Sequence, residues 1–134
     1  METKVDYSQY SVLVIDDQEF IRRIVTDLLR HLEFKQILEA EDGATGFKKI
    51  RFFEPDLVIC DIEMEPLDGL QFLKILRTAE DAPNPDVPVI FLTQHAEPDT
   101  VMNAQKLGVN SFIVKPPSIS TLKSHIDIVL RNSG

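Results

Sequence analysis

"SVLVIDD", residues 11 to 17, sets an unbroken apolar run, Val12 to Ile15, directly in front of two aspartates. A run without polar alternates suits a strand covered on both faces, as in a parallel sheet, rather than one with a wet side. Asp16 and Asp17 repel each other, and burying either one unpaired is costly, so a cation is expected beside them. Four further runs share the pattern: "QILEA" at 36 to 40, "DLVIC" at 56 to 60, "PVIFL" at 88 to 92 and "SFIVK" at 111 to 115. "QILEA" is the least apolar and is placed near a sheet edge.

The segments between these runs carry helical period. Phe20, Ile21, Ile24, Val25, Leu28, Leu29 and Leu32 form a stripe that only a helix gathers on one face. The last segment repeats it with Ile119, Leu122, Ile126, Val129 and Leu130, with Ser118 or Ser120 as N-cap. Further helices are expected over residues 43 to 53, 67 to 79 and 97 to 107, the last stopping at Gly108. Strand and helix thus alternate five times, which predicts an α/β fold: a doubly wound parallel sheet with right-handed crossovers.

The chain has 134 residues and 43% hydrophobic content, enough for one core and one domain. Lys and Arg number 14 against 22 Asp and Glu, a net charge of −8, which disfavours nucleic acid and anionic membranes as partners. Cys60 has no partner for an internal disulfide and reads as a buried thiol in a reducing compartment. No apolar stretch approaches the ~20 residues of a spanning helix, and "METKVDYSQY" lacks the layout of a signal peptide, so a cytoplasmic location is expected. The three prolines of "EDAPNPDVP", residues 80 to 88, indicate a stiff surface connection.

Doubly wound sheets collect function at the carboxyl ends of their strands. There stand Asp16 and Asp17 after the first run, Asp61 after the third, Thr93 after the fourth and Lys115 at the end of the fifth. Three carboxylates without His or Cys suit a hard cation such as Mg²⁺, which would also relieve the repulsion within the aspartate pair. Asp61, on the middle strand, is the candidate nucleophile, because a carboxylate accepts a phosphoryl group to form an acyl phosphate. Thr93 and Lys115 are placed to meet phosphoryl oxygens. Taken singly, each has a plainer role: Asp16 or Asp17 as a helix cap, Asp61 as a loop acid, Thr93 as a turn residue, Lys115 as a solvated charge. Their convergence carries the inference.

With these residues in place, the chain resembles the receiver domain of two-component response regulators, especially stand-alone receivers of the chemotaxis type. The resemblance runs from about Tyr10 to Leu130 through "VLVIDDQEFIRRI", "EAEDGATGF", "PDLVICDIEMEPLDGL", "VPVIFLT" and "GVNSFIVKPPS", in family order and spacing. It implies a flavodoxin-like (βα)5 fold with strand order 2-1-3-4-5, one receiver domain over residues 1 to 134 with its core at about 10 to 131, and no output domain. It further implies that Asp61 is phosphorylated from a phosphohistidine on a sensor histidine kinase or phosphotransfer protein. Asp17, Asp61 and the main-chain carbonyl of Glu63 would bind Mg²⁺ directly, and Asp16 largely through water. Thr93 and Lys115 would hold the phosphoryl group, Thr93 and Phe112 would form the switch, and the Lys115–Pro116 bond would be cis. Partners would meet the face of the fourth helix, fifth strand and fifth helix.

Several positions depart from the family pattern. "MEP" puts Glu65 where the family has proline and moves the proline to Pro66; Gln94 stands where a small residue is usual; Phe112 has no hydroxyl; and Pro116 and Pro117 follow Lys115 together. Glu63, Gln94 and His95 lie where receivers tune acyl-phosphate lifetime, and Glu63 with Gln94 is expected to prolong it. His31 and His125 are expected at helix surfaces. Two rival functions stand against the switch. One is a small Mg²⁺-dependent phosphohydrolase with an aspartyl-phosphate intermediate, and the other a phosphate-independent scaffold on the same fold.

Overall fold

The computed structural model describes residues 5 to 132; the first four residues of the N-terminal stretch and the last two of the chain lie outside them. The five apolar runs form strands β1 (Ser11–Ile15), β2 (Gln36–Ala40), β3 (Leu57–Asp61), β4 (Val89–Thr93) and β5 (Ser111–Val114). Between and after them lie helices α1 (Glu19–His31), α2 (Gly43–Phe53), α3 (Gly69–Thr78), α4 (Pro98–Lys106) and α5 (Ile119–Asn132). All strand pairs are parallel, in the order β2-β1-β3-β4-β5. The fold is therefore the five-stranded, doubly wound arrangement expected, with the weakly apolar β2 at an edge.

Side-chain alternation explains why the strands are apolar throughout. Val12, Val14, Leu57, Ile59, Ile90 and Leu92 point into one core with Val25 and Leu29 of α1 and Leu122 and Ile126 of α5. Their neighbours Leu13, Ile15, Val58, Cys60, Val89 and Phe91 point into a second core with Ile50 of α2, Phe72, Leu73 and Leu76 of α3 and Ala104 of α4. Every residue of β1, β3 and β4 is buried, so neither face has a place for a polar alternate. Cys60 is fully buried, and burial above all pushes its thiol pKa well up.

Two strands run one residue further than their apolar runs, because Asp61 pairs with Leu92 and Thr93 with Val114 in the ladder. The polar residue is thus the last rung of the strand, held by backbone bonds rather than left on a loop. Neither aspartate occupies the cap position of α1: the N-cap is Gln18, without a side-chain cap bond. At α5, Ser118 Oγ accepts the Thr121 N–H at 3.1 Å, which selects Ser118 over Ser120 as the cap. Gly108 follows α4 at φ +87, a left-handed position that favours glycine.

Long-range polar contacts fix the connections. Arg77 donates to the carbonyls of Pro85 and Val87, both at 2.7 Å, and to that of Gly108 at 2.9 Å, pinning the proline-rich segment. A short 3-10 turn, Tyr7–Gln9, is tied to α5 by the Tyr7 hydroxyl, which donates to Asp127. His125 corrects the surface assignment: it is half-buried, with Nδ1 2.5 Å from Ser111 Oγ.

Gly69 shows how closely α3 abuts the end of β3. A Cβ there would lie 2.7 Å from the Asp61 carbonyl oxygen and 2.8 Å from Ile62 Cα, both backbone atoms with little room to yield. Gly69→Ala is expected to destabilise the fold by about 1–3 kcal/mol, as overpacking does, read as a lower denaturant midpoint. An unchanged midpoint would show that this packing is loose.

Candidate functional site

The carboxyl ends of β1, β3, β4 and β5 lie together at one end of the sheet. Asp16 follows Ile15 and is 1% exposed; its N–H still donates to the Ala40 carbonyl at 3.1 Å, so the strand geometry carries on into the site. Asp61 is 2% exposed and Thr93 fully buried. The Lys115 N–H donates to the Thr93 carbonyl at 2.7 Å, which aims its side chain inward just beyond β5. The Lys115–Pro116 peptide bond is cis, as is Glu65–Pro66.

The cation required by the aspartates is at hand. Lys115 Nζ, on a side chain only 6% exposed, lies 3.0 Å from Asp61 Oδ1 and 3.2 Å from Asp16 Oδ2. Asp16 Oδ1 accepts the Gln18 N–H at 2.9 Å, which makes the acid part of the turn into α1. Sequence reasoning missed Arg22, whose Nη1 donates to the Asp16 carbonyl at 2.6 Å while its Nε bonds Glu39 at 3.0 Å. Its place one turn into α1 was the available signal, since that turn packs over the end of β1.

One ammonium does not balance this cluster. Oxygens of Asp16, Asp17 and Asp61 all lie within 4.8 Å of one another, with Asp17 exposed to solvent. The donor set is carboxylate alone, which fits a hard divalent cation and not a soft one. Burial first, and then the Asp16 charge, push the Asp61 carboxyl up to about 7, although Lys115 pulls the other way. Burial lowers the Lys115 pKa, yet Asp16 and Asp61 together outweigh it and hold the ammonium above its ordinary range.

The families of known proteins agree with this geometry. The model of the response regulator receiver domain matches residues 12 to 127. The chain belongs to the receiver domain family. This receiver is 36% identical over 116 residues to chemotaxis protein CheY-3 of Vibrio cholerae, covering 87% of this chain and 88% of that protein. It is 33% identical over 116 residues to chemotaxis protein CheY of Pseudomonas aeruginosa, covering 87% and 92%. Among solved structures, chemotaxis protein CheY4 of Vibrio cholerae matches with a TM-score of 0.81 at 26% identity, over 90% of this chain and 98% of that one. A receiver domain protein from Clostridium thermocellum matches at 0.80 and 26%, over 92% and 96%. The family is one of signalling switches operated by phosphorylation.

Within the receiver, the remaining sequence-selected residues are not equivalent. Gln94 and His95 are exposed on the rim, and Gln94 faces an apolar groove of about 300 Å³ that it lines with Ile21, Ile24, Lys115, Pro116 and Pro117. His95 contributes its backbone, whose N–H donates to Thr93 Oγ1 at 3.2 Å. Phe112 is half-buried, edge-on to Phe91 with ring centroids 6.2 Å apart. Glu63, an exposed residue, also reaches the site: its Oε1 accepts the Thr93 hydroxyl at 2.5 Å. Burial raises its pKa, but the bonds from Thr93 and from the Asp61 carboxyl outweigh that and leave it below its usual value.

Proposed function

We propose that this receiver is a cytoplasmic signalling switch in which Asp61 takes a phosphoryl group from a phosphohistidine on a sensor histidine kinase or phosphotransfer protein. The observation that carries this is the Lys115 ammonium seated on both Asp16 and Asp61 beside a three-carboxylate cluster. Asp16, Asp17 and Asp61, with the Glu63 main-chain carbonyl, are the residues that would hold Mg²⁺. Bound there, the ion supplies positive charge to the phosphoryl oxygens and favours an ionised Asp61.

A carboxylate oxygen of Asp61 attacks phosphorus; the oxygen–phosphorus bond forms as the nitrogen–phosphorus bond breaks, and the electron pair stays with the imidazole. Lys115 and the Thr93 hydroxyl then each meet a phosphoryl oxygen, so charge arriving at a buried site is paired as it arrives. Both move from their resting partners to do so. Movement at Thr93 is transmitted along β4 and β5 to Phe112, whose ring repacks beside Phe91 and alters the α4–β5–α5 face. Exposed Met102, Val114 and Ile119 on those three elements suit a protein target. The net charge of −8 opposes nucleic acid, and among the described residues no helix is long and apolar enough to cross a membrane.

A phosphohydrolase of the aspartyl-phosphate type is less well supported. Such enzymes resemble a layout with the nucleophile on the first strand, whereas here the acidic pair follows β1 and β3 carries Asp61. Incubation with Mg²⁺ and acetyl phosphate separates the readings. A receiver gains a metastable phosphoryl group, a hydrolase turns over added phosphate esters, and a phosphate-independent scaffold does neither.

A further inference from the structure

Thr93 Oγ1 lies 2.5 Å from Glu63 Oε1 and 3.0 Å from the His95 carbonyl oxygen, and the shorter, charged contact makes Glu63 the acceptor of its one proton. Glu63 therefore meets the hydroxyl through its carboxylate and the nucleophile through its N–H, and an incoming phosphoryl group must sit between the two. Backbone geometry favours this placement. The Glu63 N–H donates to Asp61 Oδ1 at 3.3 Å, and the turn after β3 is closed by the Met64 N–H to the Ile62 carbonyl at 3.0 Å, which holds residue 63 over the strand end.

We propose that Glu63 is a built-in gate on the phosphoryl pocket: its carboxylate holds the Thr93 hydroxyl at rest and must swing out before a phosphoryl group can take that hydroxyl. The inference rests on the receiver reading above and adds a resting-state block to it. Two effects act together. A hydroxyl committed to one anion is not available to a second, and a carboxylate in the pocket repels a phosphoryl group of the same sign. The gate also holds Thr93 in its resting position, so the switch stays off until the group arrives. Glu63 is exposed, so solvent is open to its carboxylate once it turns outward.

The test compares wild type, Glu63→Ala and Glu63→Gln, each with Thr93 intact and as Thr93→Ala, in Mg²⁺ and acetyl phosphate. In the reaction measured, an Asp61 oxygen bonds to phosphorus and acetate leaves with the electron pair of the broken oxygen–phosphorus bond. Glu63→Ala is expected to form acyl phosphate roughly three- to tenfold faster, the scale of losing one charge-assisted hydrogen bond at a partly exposed site. Glu63→Gln should fall between, because an amide still accepts from Thr93 but carries no charge. With Thr93→Ala, removing Glu63 should accelerate the reaction by a clearly smaller factor, since the bond is already gone and only the charge repulsion is left to relieve. Beryllofluoride, a non-covalent stand-in for the phosphoryl group, should bind the Mg²⁺-loaded Glu63→Ala protein more tightly by a similar factor.

A wild type that is phosphorylated while Glu63→Ala is no faster would overturn the gate and leave the receiver reading standing. Acceleration equally large without the Thr93 hydroxyl would overturn it too, by reducing the effect to charge alone. A wild type that takes no phosphoryl group would overturn both.

Discussion

Asp61→Asn is expected to stabilise the metal-free protein by about 2–4 kcal/mol at pH 8, and to leave its stability nearly unchanged near pH 3.5. Burial and Asp16 raise the Asp61 carboxyl from 3.8 to about 7 in the folded state. Between those two values the folded chain holds a proton that the unfolded chain has released, so stability falls as pH rises through this window. The contribution is fully present below the unfolded pKa and is lost once pH passes the folded one. Asparagine does not titrate, so the variant lacks this loss. Denaturant midpoints of the two proteins across pH measure the difference, and Mg²⁺ should narrow it by stabilising the wild type. Parallel pH profiles would show that Asp61 is not under electrostatic stress.

Lys115→Met is expected to act in the opposite direction, lowering stability by about 2–4 kcal/mol at pH 8 in the absence of metal. Its ammonium sits 3.0 Å from Asp61 and 3.2 Å from Asp16, both of which are almost wholly buried. Removing one partner of a buried ionic cluster leaves the others uncompensated, which is more damaging than never having built the cluster. The loss should shrink at pH 5, where Asp61 takes up a proton, and should shrink again in an Asp61→Asn background, where one carboxylate is gone. Thermal or denaturant unfolding of the single and double variants reads this coupling. Equal losses at both pH values would mean that Lys115 contributes by packing alone.

Much of the fold was legible because its dominant signal, burial on both faces, is written in consecutive residues. Val12 to Ile15 and Val89 to Leu92 admit no polar alternate, and the helices between them repeat at 3.6 residues. The strand ends were displaced by one residue because Asp61 and Thr93 look like loop residues by composition but pair as strand residues in the ladder. The site's members were legible for a related reason: topology brings strand ends together whatever lies between them in sequence.

What escaped were contacts decided by side-chain reach. Arg22 is separated from Glu39 by a whole helix and turn, and Ser111 from His125 by the length of the β5–α5 connection. Glu63 was selected for its place in the chain, but which way its carboxylate turns depends on Thr93, a residue 30 positions away. Asp16 as a helix cap failed for a local reason: its carboxylate is committed to the Gln18 N–H and to Lys115, one residue before the helix's own first turn.

The central claim is that Asp61, among all the carboxylates of this acidic chain, is the one that accepts phosphorus. After incubation with Mg²⁺ and acetyl phosphate, borohydride reduces an aspartyl phosphate to homoserine with release of phosphate, and peptide mass mapping locates the product. Homoserine is expected at position 61 alone, with none in Asp61→Asn. Homoserine at another aspartate in the wild type, or phosphorylation of Asp61→Asn at an undiminished level, would contradict the account.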